Sequence, residues 1–338
     1  MIGGVLAVIA VIWILHVRLA ARGFDWALAG AGLMRLRWIW LLTSLVPIGG
    51  TYAVRALRWA VFLKPLKARP SLSNLLSATV IGFTAITLFG RAGDFVRPYL
   101  ISVKEEVPVT SQIATWVLER VFDLLMASLL LAFALARVQA WGVSLGPTLS
   151  WVLAFGGRFV GCSCLAVLVL LVSMRHFAEP VRRWLVATMG FLPEAHFRKA
   201  EKLITTFVQG VESTRSDAAL LTVLAYSVVE WGLIAACYWC VARAFAGNVD
   251  LSFVNVMILM AFVAFGGVVQ VPGVGGGTQV VAALVLTELF GVPLELATTF
   301  ALLIWILTFV VIVPVGLGMA VKEGLDWRSL RRLGEGAS

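Results

Sequence analysis

The chain has 338 residues, of which 61% are hydrophobic and only 13% charged, where soluble domains average roughly 45–50% apolar and about 25% charged. That excludes an ordinary water-soluble protein, because too few polar side chains remain to cover its outside. The net charge of +9 reads as basic anchoring at the inner face of a membrane, and nucleic acid is not an expected partner.

Several stretches run close to twenty residues without a charge, as a hydrocarbon core about 30 Å thick requires of a helix. They predict an all-α polytopic membrane protein, a single transmembrane domain over residues 1–338 with about six spanning helices. In chain order the spans fall near 2–17, 38–54, 114–136, 150–174, 218–242 and 297–321. The first has no basic n-region and no cleavage site before Arg18 and Arg22, so it is expected to stay as an uncleaved helix. Two further apolar stretches, within 71–110 and 252–290, break at glycines and are expected to be re-entrant hairpins. Segment 176–217 is basic with apolar residues at three- and four-residue spacing, so one or two amphipathic helices should lie on the membrane surface there.

Basic residues orient the chain. Segment 176–217 and the tail with Lys322, Arg328, Arg331 and Arg332 belong inside the cell, in an inner (cytoplasmic) membrane. At the N-terminus basic residues flank the second span on both sides; the larger cluster, Arg55 to Arg69, is followed as cytoplasmic. Units 38–136 and 218–321 then each read as span, broken hairpin, span, with the hairpins entering from opposite faces. That is the pattern of an inverted repeat, in which discontinuous helices meet near the midplane.

The first tip, Phe89-Gly90-Arg91-Ala92-Gly93-Asp94-Phe95-Val96-Arg97-Pro98, holds three charges and two glycines directly after an apolar run. Charges at membrane depth need a partner or a wet cavity. Gly90 and Gly93 would let backbone amides turn toward a ligand, and Pro98 would kink or end the next helix. A loop at headgroup level, with Arg91 and Arg97 on Asp94 or on lipid phosphate, is the plainer alternative. Glu119 and Asp123 share a helix face with Arg120 one step round, and Arg91 and Arg97 are their expected partners. Such a network either clamps the hairpin or leaves a guanidinium for a phosphate.

The second tip, Gln270 to Gln279, has Gly273, Gly275, Gly276 and Gly277 but no lysine after them, which excludes a Walker A loop. It offers either an anion site at a helix N-terminus capped by Thr278, or a close-packing kink. Glu230, inside a span, should face the bundle as a hydrogen-bonding or proton-coupling carboxyl. Cys162, Cys164, Cys237 and Cys240 lie in apolar runs and read as buried thiols. His16, His176 and His196 are too scattered for a metal motif, and no cofactor is expected.

Leu57-Arg58-Trp59, the Gly-Arg-x-Gly-Asp-x-x-Arg tip at 90–97, Glu-Arg-Val-x-Asp at 119–123 and Pro-Gly-x-Gly-Gly at 272–276 together resemble the flippase-like transmembrane region of lysylphosphatidylglycerol synthases and its standalone relatives. The resemblance implies movement of a lipid across the cytoplasmic membrane. It also implies that residues 91, 94, 97, 119, 120 and 123, with the glycines of the second tip, form the functional centre. Asp94 stands where that family usually carries Glu, and the family usually carries a second Glu near Gln279, where this chain is neutral. With only seventeen residues after Val321, the chain is not expected to make lysyl-lipid itself. The leading expectation is a lipid translocase whose partner is a membrane lipid with an anionic phosphate headgroup. A membrane enzyme acting on a lipid phosphate, or an accessory membrane protein, are the alternatives. In the enzyme reading Glu119 and Asp123 would bind Mg²⁺ against competition from Arg120.

Overall fold

The computed structural model describes residues 24–141, 216–245, 247–266, 270–271 and 275–324, with isolated residues between 155 and 205. The spans expected at 2–17 and 150–174 and the surface segment 176–217 lie outside these, apart from those isolated positions and residues 216–217. The described chain is helical, with one two-residue antiparallel ladder. It has four stretches long and apolar enough to cross a bilayer, or five if a bent pair counts as one span.

The bent pair is α1 (Trp26–Met34) and α2 (Trp38–Leu63), which meet at 78°. Asp25 caps α1, accepting from the amides of Ala27 and Leu28 at 2.8 and 3.1 Å. Helix α2 runs on to Leu63, well past the uncharged run that ends at residue 54, and so carries Arg55 and Arg58 inside it. The hydropathy boundary fails because both arginines find partners.

The first hairpin consists of α3 (Leu72–Phe89), a 3-10 turn (Gly90–Phe95) and α4 (Val96–Glu105). It doubles back fully: the Glu105 carboxylate accepts from the Ser71 amide at 3.2 Å and from Asn74 Nδ2 at 2.7 Å, and pairs with Lys67 at 2.8 Å. Gly93 is the pivot, because a Cβ there would run into the backbone of Ala85 and Ile86. The glycine thus seats the turn on α3. Pro98 is the third residue of α4, where a missing N–H costs nothing, so it starts the helix and does not end it.

Helix α5 (Val109–Trp141) follows, then α6 (Asp217–Ala244). The second hairpin is α7 (Phe253–Gly266), the ladder of Gln270 with Gly276 and Val271 with Gly275, and α8 (Gly277–Glu288). Its helices cross so closely that a Cβ on Gly266 would come within 2.7 Å of the Gly277 carbonyl. With 14 and 12 residues neither arm rises more than about 21 Å, short of a crossing. The last span is α9 (Leu294–Trp305), a π-helical segment (Ile306–Val310) and α10 (Ile312–Lys322).

The packing is reciprocal. Helices α2 and α6 lie along one another antiparallel: the Arg37 amide donates to the Ala244 carbonyl at 2.8 Å, while Phe62 and Val223 share a core. The first hairpin packs on α10, whose end meets its mouth through Lys104 and Glu323 at 2.5 Å. The second packs on α5, whose end meets its mouth through the rings of Trp141 and Phe290, 6.3 Å apart. Since the first mouth also adjoins the start of α5, the two hairpins enter from opposite ends of that helix.

Candidate functional site

Where α2, α4, α5 and α6 converge, their charged side chains form one buried network. The Arg58 side chain, fully buried, donates from Nη2 to Glu119 Oε1 at 2.7 Å and from Nη1 to Asp123 Oδ1 and Ser227 Oγ, each at 3.0 Å. Its Nη1 also lies 3.2 Å from Glu230 Oε2. Arg97 reaches the other oxygen of Glu119 at 2.6 Å, with its guanidinium carbon 3.9 Å from the centroid of the Trp59 ring. Arg120, half-exposed, closes the array on Asp123 at 3.3 Å and Glu119 at 3.4 Å. Arg55 Nε lies 2.8 Å from Glu230 Oε1, its N–H not aimed along the contact, and its guanidinium sits over Phe83 at 4.2 Å.

Four guanidinium groups therefore surround three carboxylates. Taking each ion out of water costs several kcal/mol, and only close pairing with further hydrogen bonds offsets that cost. Pairing is incomplete: Arg55 Nε, Arg58 Nε and Arg97 Nε are buried without a hydrogen-bond partner among the described residues. Unpartnered guanidinium N–H donors beside aromatic rings are groups that a phosphate or carboxylate oxygen would use.

The remaining expected residues are placed as follows. Arg91 stands exposed at the first tip and Asp94 is half-buried in the same turn. Of the two arginines expected on Glu119 and Asp123, Arg97 takes its place, while the guanidinium that bridges both carboxylates is that of Arg58. Glu230 faces the bundle, as expected, as an ion-pair partner of Arg55 and Arg58.

The second tip departs from its expected form. Gly273 lies outside the described residues, and Gly275 and Gly276 belong to the ladder. Thr278 is not the cap of α8: that position is Gly276, at φ +136°, whose amide is met by Gln279 Oε1 at 2.7 Å. Thr278 Oγ1 donates to the same oxygen at 2.9 Å. The amide expected to hold an anion is thus occupied by the chain's own carboxamide. The described parts of the two tips share no extensive packing.

Arg55 and Arg58 are the residues that sequence reasoning missed as members of the site. The signal was their spacing of three, which puts both on one helix face beside Trp59 and Phe62, a poor arrangement for a headgroup-level loop.

A stretch of 93 residues, 27% of this chain, is 33% identical to part of the glycosyltransferase AglD of Haloferax volcanii and covers 15% of that protein's length. The family described as the lysylphosphatidylglycerol synthase TM region matches residues 1–316, which takes in both hairpins and the whole charged network. This chain is a multi-pass membrane protein belonging to the lysylphosphatidylglycerol synthase transmembrane-region family.

Proposed function

We propose that the protein is a lipid translocase of the cytoplasmic membrane, in which the network around Arg58, Arg97 and Glu119 receives the phosphorylated headgroup of a phospholipid or polyprenyl-linked lipid. The observation that carries this reading is a cluster of buried guanidinium groups with three N–H donors unpartnered among the described residues, set between helices that bound two hairpins of opposite entry. A headgroup phosphate would take those donors and loosen the hold of Glu119 on Arg97, so that loading the site alters the contact between hairpin and span. The reciprocal packing supports an inverted repeat of units 38–136 and 218–321, a form that exposes one site alternately to two faces. The likeness to part of a glycosyltransferase favours a lipid whose headgroup carries sugar as well as phosphate.

An enzyme acting on a lipid phosphate is less well supported. Glu119 and Asp123, the carboxylates that would serve it, have their oxygens engaged by Arg58, Arg97 and Arg120. The test is reconstitution into proteoliposomes with a fluorescent phospholipid and a membrane-impermeant quencher. The expected result is accelerated exchange between leaflets by the wild type and its loss in Arg97→Ala. A variant as active as the wild type would overturn the assignment of the headgroup site.

A further inference from the structure

At the opposite end of α2 and α6 from the first hairpin's mouth lies a cleft of about 370 Å³, lined by Arg37, Trp40, Trp239, Arg243, Asp250 and their apolar neighbours. Its floor is Ala242, Val249 and Leu251, all buried, and its rim is the exposed trio Arg37, Arg243 and Asp250. Trp40 and Trp239 stand edge to face at 5.6 Å, and Arg243 lies over Trp239 at 4.9 Å. Neither arginine, nor Asp250, forms an ion pair or side-chain hydrogen bond among the described residues. Two cations with no carboxylate in contact among the described residues, and one carboxylate on the same rim, are unlike the inner network, where every guanidinium has a carboxylate.

The position fits a lipid. The cleft sits where spanning helices end and paired tryptophans mark the interfacial layer. Arg243 is about thirteen residues, or roughly 20 Å of helix rise, from Glu230 of the inner network. The volume is near the lower end of small-ligand pockets, about 300–1,000 Å³, enough for a headgroup but not for acyl tails.

We infer that this cleft is a second headgroup site, taking the phosphodiester of a membrane lipid on Arg37 and Arg243, with Asp250 accepting from a hydroxyl of the same headgroup and the Trp pair walling it. The inference rests on the translocase reading and extends it: the inner network would be the transit site and the cleft the station at the second hairpin's mouth.

The experiment uses the full chain in detergent, with dihexanoyl phosphatidylglycerol as probe and native mass spectrometry counting bound lipid. Two bound equivalents are expected for the wild type. The double substitution Arg37→Ala with Arg243→Ala is expected to weaken one of them at least tenfold, and the double Lys variant to restore part of it, which separates ligand loss from misfolding. Arg97→Ala is expected to weaken only the other. If the Arg37 and Arg243 variant binds two equivalents as the wild type does, the cleft is not a headgroup site, whatever Arg97→Ala does. If Arg97→Ala keeps both while the cleft variant loses one, the inner-site reading fails and the cleft stands. Displacement of the cleft lipid by inorganic phosphate at equal concentration would make it a free-phosphate site and overturn its assignment to lipid.

Discussion

Arg97 donates to Glu119 across 2.6 Å, an ion pair that ties the returning arm of the first hairpin to the middle of a spanning helix. The same guanidinium lies over the Trp59 ring, and Gly82 makes room for the residue, since a Cβ at that glycine would come within 2.5 Å of Arg97 Cβ. A lysine keeps the charge but has neither the planar face for the indole nor the fork for a phosphate. Arg97→Lys is therefore expected to lower lipid exchange at least tenfold with little change in melting temperature, read by the proteoliposome assay alongside a thermal-unfolding scan.

Arg58 should behave differently. It is the guanidinium shared by Glu119, Asp123 and Glu230, and it is fully buried. Replacing it with leucine strands carboxylates beside one another, a change of the kind that costs about 3–5 kcal/mol. Arg58→Leu is expected to lose much of its folded yield in detergent, and combining it with Glu230→Gln should recover part of that loss. A single variant with wild-type melting would show that the network holds little of the fold together.

Glycines at the hairpin should divide sharply. Gly93 faces backbone, which cannot move aside, so Gly93→Ala is expected to cost about 1–3 kcal/mol as overpacking does and to stop transport. Gly49, inside α2, has open space where a Cβ would go. Gly49→Ala should be neutral or stabilise by up to about 1 kcal/mol. Melting temperatures of the two purified variants check the pair together.

Opposite entry of the hairpins predicts opposite labelling. Cysteine at Lys67, beside the first mouth, and cysteine at Arg243, beside the second, should react with a membrane-impermeant maleimide from different sides of the membrane. The basic residues Lys64, Lys67, Arg69, Lys104 and Lys322 gather near the first mouth, so Lys67→Cys is expected to react from the cytoplasm. Labelling of both positions from one side would remove the geometric basis for the repeat.

Both hairpins are legible in the sequence because glycines and charges interrupt apolar runs at points where a continuous helix has no use for them. Arg97, Glu119, Arg120, Asp123 and Glu230 are legible for a related reason: charges within membrane-length segments require an account. Arg55 and Arg58 are not, because a hydropathy run stops at the first charge and cannot know that Glu230, some 170 residues on, will neutralise it. Gln279 was hidden differently. Its part in closing the first turn of α8 depends on Gly276 adopting a positive φ, which the spacing of four glycines does not single out.

Helix α5 has 33 residues and so a length of about 50 Å, with Glu119 and Asp123 well inside it and a hairpin mouth at either end. It is in effect a lever with a charged fulcrum. Measured from the fulcrum its arms are about 17 Å and 30 Å, so a tilt of ~10° carries the two ends roughly 3 Å and 5 Å in opposite senses. Any rocking of this one rod about its charged middle therefore moves both hairpin mouths at once, the end at Trp141 and Phe290 further than the other.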